Sequence, residues 1–153
     1  MIMLDPMRHR EAVPFYRYRH VVGLSDTNVV GNVYFSHYVT WQGKCREMFL
    51  RDHAPGIMDD LRGSLRLITL RCGCQYFAEL TAFDEVEIRL MLRGLHQNRI
   101  AMEFDYFAVR GEHLVLAARG DQEIACMQFE AGGLRSCPVP ESLVVALRAY
   151  QTG

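Results

Sequence analysis

The sequence predicts an α+β fold: a curved antiparallel sheet wrapped around one long central helix, with a short helix closing the chain. Three observations carry this. A period-2 segment is followed by one long segment of helical period. Further strand patterns then succeed one another without helices between them, unlike the alternation of parallel βαβ units. The helix also presents a wide apolar stripe, which needs a sheet face to bury it. At 153 residues, half of them hydrophobic and 23% charged, the chain can bury a core of single-domain size. It is expected to form one domain over residues 1–153, with residues 1–14 as an N-terminal arm.

The elements follow in order. Residues 15–24 alternate, with Tyr16, Tyr18, His20, Val22 and Leu24 on one face of a strand. From Tyr34 the period changes: Tyr34, Tyr38, Trp41, Cys45 and Met48 form a helical stripe flanked by Phe35, Val39 and Phe49. Ser36 is the expected N-cap, and Pro55-Gly56 ends the helix. Residues 65–77 read as one long strand. Residues 85–92 set Val86, Ile88, Leu90 and Leu92 opposite Glu85, Glu87 and Arg89. After a turn over residues 94–98, Ile100, Met102, Phe104 and Tyr106 alternate again, and Arg110-Gly111-Glu112 links into a strand over residues 114–129. Pro138 and Pro140 precede an amphipathic terminal helix over residues 141–150. One such sheet leaves an edge strand open, so pairing with a second copy is expected to close it.

Composition narrows the function. A net charge of −1 argues against nucleic acid as a partner. The only lysine is Lys44, so the positive charge is almost all arginine, suited to anchoring carboxylates or phosphates. The N-terminal residues lack the apolar run of a secretory signal, and no segment approaches a membrane span. Cys45, Cys72, Cys74, Cys126 and Cys137 match no zinc spacing. Cys72 and Cys74 are expected on one strand face with Ile68, Leu70 and Tyr76, as buried small side chains in a reducing cytoplasm.

The chemistry concentrates in residues 25–46, S-D-T-N-V-V-G-N-V-Y-F-S-H-Y-V-T-W-Q-G-K-C-R. This is a strand end, a tight turn at Gly31 and the start of the helix. The first N–H groups of a helix have no intrahelical acceptor, and the dipole there favours negative charge. Asp26-Thr27-Asn28, the Gly31 turn and the helix through Arg46 resemble the signature of hot-dog thioesterases of the 4-hydroxybenzoyl-CoA type. The resemblance runs from about residue 16 to residue 147. Where that family carries its catalytic Asp, this chain has Asn28, and the family's helix glutamate falls on Gly43. With R-C-G-C-Q-Y-F-A-E-L downstream, the whole pattern is similar to the thioesterases of enediyne polyketide clusters.

That resemblance implies release of a conjugated β-keto polyene from the acyl-carrier protein of an iterative polyketide synthase, followed by decarboxylation. It implies no metal or cofactor, and a homodimer or homotetramer. The oxyanion would lie on the backbone N–H groups of Tyr34 and Phe35, with Asn28, Arg46 and Tyr38 as catalytic groups. Gly31, Asn32, Thr69 and Trp41 are the expected substrate contacts. Thr69 is taken to share a strand face with Arg71. An amide accepts no proton at neutral pH, so Asn28 can hold a water or carbonyl but cannot act as base. Asp26 and Glu47 are the substitute bases to consider.

Arg46 falls roughly 15 Å along the helix from Ser36. It either reaches across a subunit interface or pairs with an acid such as Glu47 or Asp26. His20 is expected as a core residue and His37 as a solvent or cap contact. Two other readings stand beside hydrolysis of a carrier-protein thioester. One is a non-catalytic polyene-binding partner of the synthase. The other is a general acyl-CoA thioesterase, against which the scattered arginines speak.

Overall fold

Alternation of large apolar side chains with polar ones makes one face of four long strands a core face, and that face curls around a single helix. The computed structural model describes residues 13–152, so nearly all of the expected N-terminal arm lies outside the described residues. β1 (Tyr16–Val21) passes through a 3₁₀ turn (Leu24–Asp26) to α1 (Ser36–His53). A short α2 (Ile57–Arg62) leads into β2 (Leu65–Tyr76), β3 (Glu85–His96), β4 (Arg99–Arg110) and β5 (His113–Glu130). β6 (Gly133–Ser136) and α3 (Glu141–Arg148) complete the chain. The main sheet runs β1-β3-β4-β5-β2, antiparallel throughout, with β6 added to β5.

The core lies between α1 and this sheet. Tyr38, Trp41, Cys45 and Phe49 of α1 meet Ile88, Leu90, Leu92, Ile100, Met102, Phe104 and Tyr106 of β3 and β4. The Tyr106 hydroxyl donates to the Tyr38 carbonyl at 2.6 Å, tying the sheet to the first turns of the helix. α3 closes the far end: the main chain of residues 150 and 152 bonds Leu92, and the Tyr150 ring packs edge-on against Tyr16, Phe49 and His53.

Several expectations need correcting. Ser36 is the first helical residue and not the N-cap; Phe35 holds that place, with no side-chain cap. Tyr34 and Phe35 lie outside the buried stripe, both exposed. The turn expected over residues 94–98 is tighter, because β3 runs on to His96 and Gln97 takes the left-handed conformation. α2, β6 and the 3₁₀ turn carry too few residues for a periodic signal, and none was expected.

The largest correction concerns β2. Thr69 pairs with Ile124 but Arg71 pairs with Glu123, so Leu70 is bulged out of the ladder. Ile124 and Glu123 are consecutive and point to opposite faces, which places Thr69 and Arg71 on opposite faces too. Thr69, Cys72 and Cys74 therefore share the helix-facing side, and Ile68 does not. Cys72 is exposed, contrary to the buried role expected of it, whereas Cys45 and Cys126 are buried.

A polar chain is set within the apolar core. Gln42, fully buried, donates through Nε2 to the Gly73 carbonyl at 2.9 Å and accepts from Gln122 Nε2 at 3.2 Å. Gln122 Oε1 in turn accepts from Arg46 at 3.2 Å. A Cβ at Gly120 would overlap the Gln42 amide. Gly120→Ala is therefore expected to lower stability by about 1–3 kcal/mol through overpacking, measured by urea unfolding with an unchanged m-value.

Candidate active site at the start of the central helix

The segment between β1 and α1 folds back on itself as a short hairpin. Thr27 bridges Val33, Asn28 N–H donates to the Asn32 carbonyl at 2.9 Å, and Gly31 turns the chain at φ +93°. The Asn28 side chain helps build this turn: its Oδ1 accepts from Val30 N–H at 2.9 Å. That leaves the Asn28 Nδ2 donors without a partner among the described residues. Val29 and Val30 sit fully exposed at the hairpin tip.

Asp26 anchors the hairpin to its surroundings. Its carboxylate accepts from Gly23 N–H at 2.9 Å and lies 3.3 Å from both His20 Nε2 and His37 Nδ1. The His20 ring in turn packs on Trp41 at 4.7 Å. His20 is a part-buried residue packed on core Trp41 and satisfied by Asp26, and His37, at the first turn of α1, contacts the same carboxylate. Histidine followed by a short Asp-bearing turn and a second histidine on the helix is the signal that would have suggested this cluster. Although it joins two histidines and a carboxylate, the described residues hold no group of three His, Cys, Asp or Glu side chains suited to a metal ion.

The backbone donors at the helix start are only partly available. Tyr34 N–H is taken by the Asp26 carbonyl at 3.0 Å, which removes it from the expected oxyanion pair. Phe35 N–H meets no acceptor among the described residues, and neither does that of Ser36. Beside them opens a pocket of about 400 Å³ walled by Phe35, Tyr38, Tyr76 and Phe77, with Asn32 and Glu79 also lining it. The Tyr76 hydroxyl donates to the Phe35 carbonyl at 2.9 Å, joining the end of β2 to the helix start.

Tyr38 turns a buried ring toward this pocket, and its hydroxyl has no hydrogen-bond partner among the described residues. Burial pushes its phenol up to about 12, helped by Cys74, Tyr76, Glu79 and Asp84 nearby. Asn32 lines the pocket; its Nδ2 donates to Glu79 at 3.2 Å, and its Oδ1 is shut from solvent without a partner among the described residues. Trp41 is core, packed between Tyr38 and His20, and does not line the pocket.

Arg46 stands apart from the pocket, facing β2 and β5. Its Nη1 donates to Thr69 Oγ1 at 3.3 Å and to Gln122, and no acid pairs with it among the described residues. Burial lowers its pKa, yet arginine keeps its proton under any physiological condition. The expected pairing with Asp26 or Glu47 does not occur: Asp26 is held by its histidines, and Glu47 lies on the exposed side of the helix. Sequence reasoning overlooked Glu79 as a site residue, although it is the glutamate of the R-C-G-C-Q-Y-F-A-E-L run that carries part of the resemblance.

Comparison with known proteins bears on the family and the fold. The model of the thioesterase-like superfamily matches residues 22–147. The dynemicin thioesterase, known from crystal structures that address induced fit and allostery on polyene binding, is 49% identical. It superposes with a TM-score of 0.89 over 92% of this chain and 99% of its own. A 1,4-dihydroxy-2-naphthoyl-CoA hydrolase of Microcystis aeruginosa is 24% identical over 127 residues, 82% of this chain and 88% of its own. The 1,4-dihydroxy-2-naphthoyl-CoA thioesterase of Synechocystis shares the fold at a TM-score of 0.75 and 19% identity, over 88% of this chain and 96% of its own.

Because the Tyr38 phenol titrates higher in the folded chain than in the unfolded one, its contribution to stability is complete below the unfolded value near 10. It is lost as pH rises through about 12. Stability to urea is thus expected to decline between these values, and less steeply in Tyr38→Phe. An equally steep decline in that variant would assign the loss to other groups.

Proposed function

Since the chain belongs to the thioesterase-like superfamily, we propose that it hydrolyses a conjugated β-ketoacyl polyene thioester carried on the acyl-carrier protein of an enediyne-type polyketide synthase. The observation that carries this is the aromatic-walled pocket beside free helix-start N–H groups. It occurs in a chain 49% identical to a thioesterase studied for polyene binding. Flat rings of Tyr38, Tyr76, Phe35 and Phe77 suit a planar polyene, which stacks on such faces at little conformational cost.

In this reading the thioester oxygen lies on the N–H of Phe35, with Ser36 beside it, where negative charge gathers as the tetrahedral intermediate forms. Asn28 Nδ2 orients the carbonyl or the attacking water, and the Tyr38 hydroxyl, protonated throughout, donates to a substrate oxygen. The β-keto group withdraws electrons, so the carbonyl is already activated. The β-keto acid that is freed loses CO2 through its own cyclic transition state, without a protein side chain.

The site is completed by a second copy. β2 is an edge strand of 12 residues with unpaired backbone groups, an arrangement that folded chains normally cover. Pairing β2 with its counterpart joins two sheets into one. Arg46, beside Thr69 on that strand, then lies near the seam and serves the helix start of the other subunit. The assembly is a homodimer or a pair of dimers, working in the cytoplasm without a cofactor.

The test is single-turnover hydrolysis of a β-ketoacyl thioester on a carrier protein, beside a simple acyl thioester and the Asn28→Ala and Arg46→Ala variants. Fast release of the β-keto substrate is expected. Each variant should slow it by about 100- to 1,000-fold, the range for loss of one oriented donor. Asn28→Ala should change the thermal midpoint little, whereas Arg46→Ala, which strips Gln122 Oε1 of its donor, should also lower it. Tight binding of the thioester without release would identify a polyene-binding partner of the synthase instead. Equal rates on the simple acyl thioester would remove the β-keto specificity.

A further inference from the structure

With Asn28 in the place of a carboxylate, the proton of the attacking water needs another destination. The two acids suggested by the sequence are both occupied or misplaced. Asp26 is engaged by Gly23 N–H, His20 and His37. Glu47 lies on the exposed side of α1 and does not line the pocket. The pocket at the helix start has one carboxylate in its wall, Glu79, set between Ala78 and the buried Leu80 just beyond β2.

We infer that Glu79 is the general base of the hydrolysis, held in place by Asn32 at the mouth of the pocket. Asn32 Nδ2 donates to Glu79 Oε1 at 3.2 Å, leaving Oε2 without a partner among the described residues. The neighbouring Asn32 Oδ1, shut from solvent and without a donor among the described residues, is closed to the attacking water. That leaves the Glu79 carboxylate as the acceptor in the pocket wall that can take the water's proton. The Glu79 charge is also felt at the Tyr38 hydroxyl, so the carboxylate and the aromatic pocket share one space.

The backbone secures this placement. Val33 N–H donates to the Leu80 carbonyl at 2.8 Å, and Asn32 bridges Thr81, so the Glu79 segment is stitched to the hairpin that carries Asn28. The step balances simply. A water oxygen bonds to the thioester carbon while Glu79 takes one of its protons. The tetrahedral intermediate then collapses with cleavage of the C–S bond, and the thiolate recovers the proton from Glu79. No oxidant, metal or cofactor enters.

This inference rests on the thioesterase reading, and the two fail separately. Wild-type protein is assayed first on the carrier-bound β-ketoacyl thioester; absence of turnover overturns the thioesterase reading and Glu79 with it. Given turnover, Glu79→Gln should lower kcat by about 100-fold or more with KM little changed, in line with loss of a general base. Glu79→Ala should fall likewise and recover part of its rate with added formate, which supplies a carboxylate. The residue is exposed, so both variants are expected to keep the wild-type thermal midpoint. Wild-type kcat in Glu79→Gln would overturn the inference. So would a loss in Glu79→Ala that formate does not relieve and Asn32→Ala reproduces, which would reduce Glu79 to a tether for the hairpin.

Discussion

The buried polar chain from Gly73 through Gln42 and Gln122 to Arg46 and Thr69 fixes how the central helix sits in its sheet. Apolar contact alone is nondirectional and tolerates small rotations and slides of a helix. Hydrogen bonds from a fully buried Gln42 do not, because breaking one strands a polar group in a low-dielectric interior. Gly120 makes the arrangement possible by leaving room for the Gln42 amide against the strand. The candidate site lies at the start of this same helix, so the position of the Phe35 donor relative to Tyr38, Tyr76 and Glu79 inherits that constraint. A displacement of the helix by an ångström would be felt in the orientation of a bound carbonyl.

The sequence discloses the parts of this fold that depend on repetition. Four long strands and one 18-residue helix each average their period over many residues, so their class and order are readable without a structure. What it hides depends on single residues. The bulge at Leu70 reverses the faces of everything beyond it, and no local composition marks it. The occupation of Tyr34 N–H by the Asp26 carbonyl is likewise invisible, since main-chain acceptors carry no sequence signature. The motif therefore points to the helix start, where the candidate pocket opens, but does not tell which of its groups are free: Trp41 belongs to the core, Asn28 lies outside the pocket lining, and Glu79 is in it.

Asp26 explains part of that gap. Its position near Asn28 suggests a rescue base, but its neighbours use it as a structural tie: a turn N–H from below and a histidine on each side. The tie joins β1, the 3₁₀ turn and the first turn of α1. Asn28 works similarly, its Oδ1 spent on the turn and its Nδ2 without a partner among the described residues. The Asp26 carboxylate and Asn28 Oδ1 are thus both spent on structure, while Asn28 Nδ2 and the N–H groups of Phe35 and Ser36 have no acceptor among the described residues. A cluster biased toward donors suits an oxygen that becomes negative and offers nothing to abstract a proton. The proton acceptor accordingly lies across the pocket, on the segment after β2.

The same count bears on which thioester the site can process. With Tyr34 N–H engaged, the helix start presents the N–H groups of Phe35 and Ser36 as donors without an acceptor among the described residues. Each well-aimed donor to a developing oxyanion is worth about 3–4 kcal/mol, so losing one of them matters on the scale of a whole rate enhancement. A simple acyl thioester would have to recover that stabilisation from the protein. A β-ketoacyl thioester brings some of it in its own structure, since the adjacent ketone draws electrons from the reacting carbonyl and offers a second oxygen for Tyr38 or Arg46 to hold. The proposed substrate and the reduced set of donors are therefore two sides of one argument: a site with fewer groups to stabilise the transition state is matched to an electrophile that needs fewer.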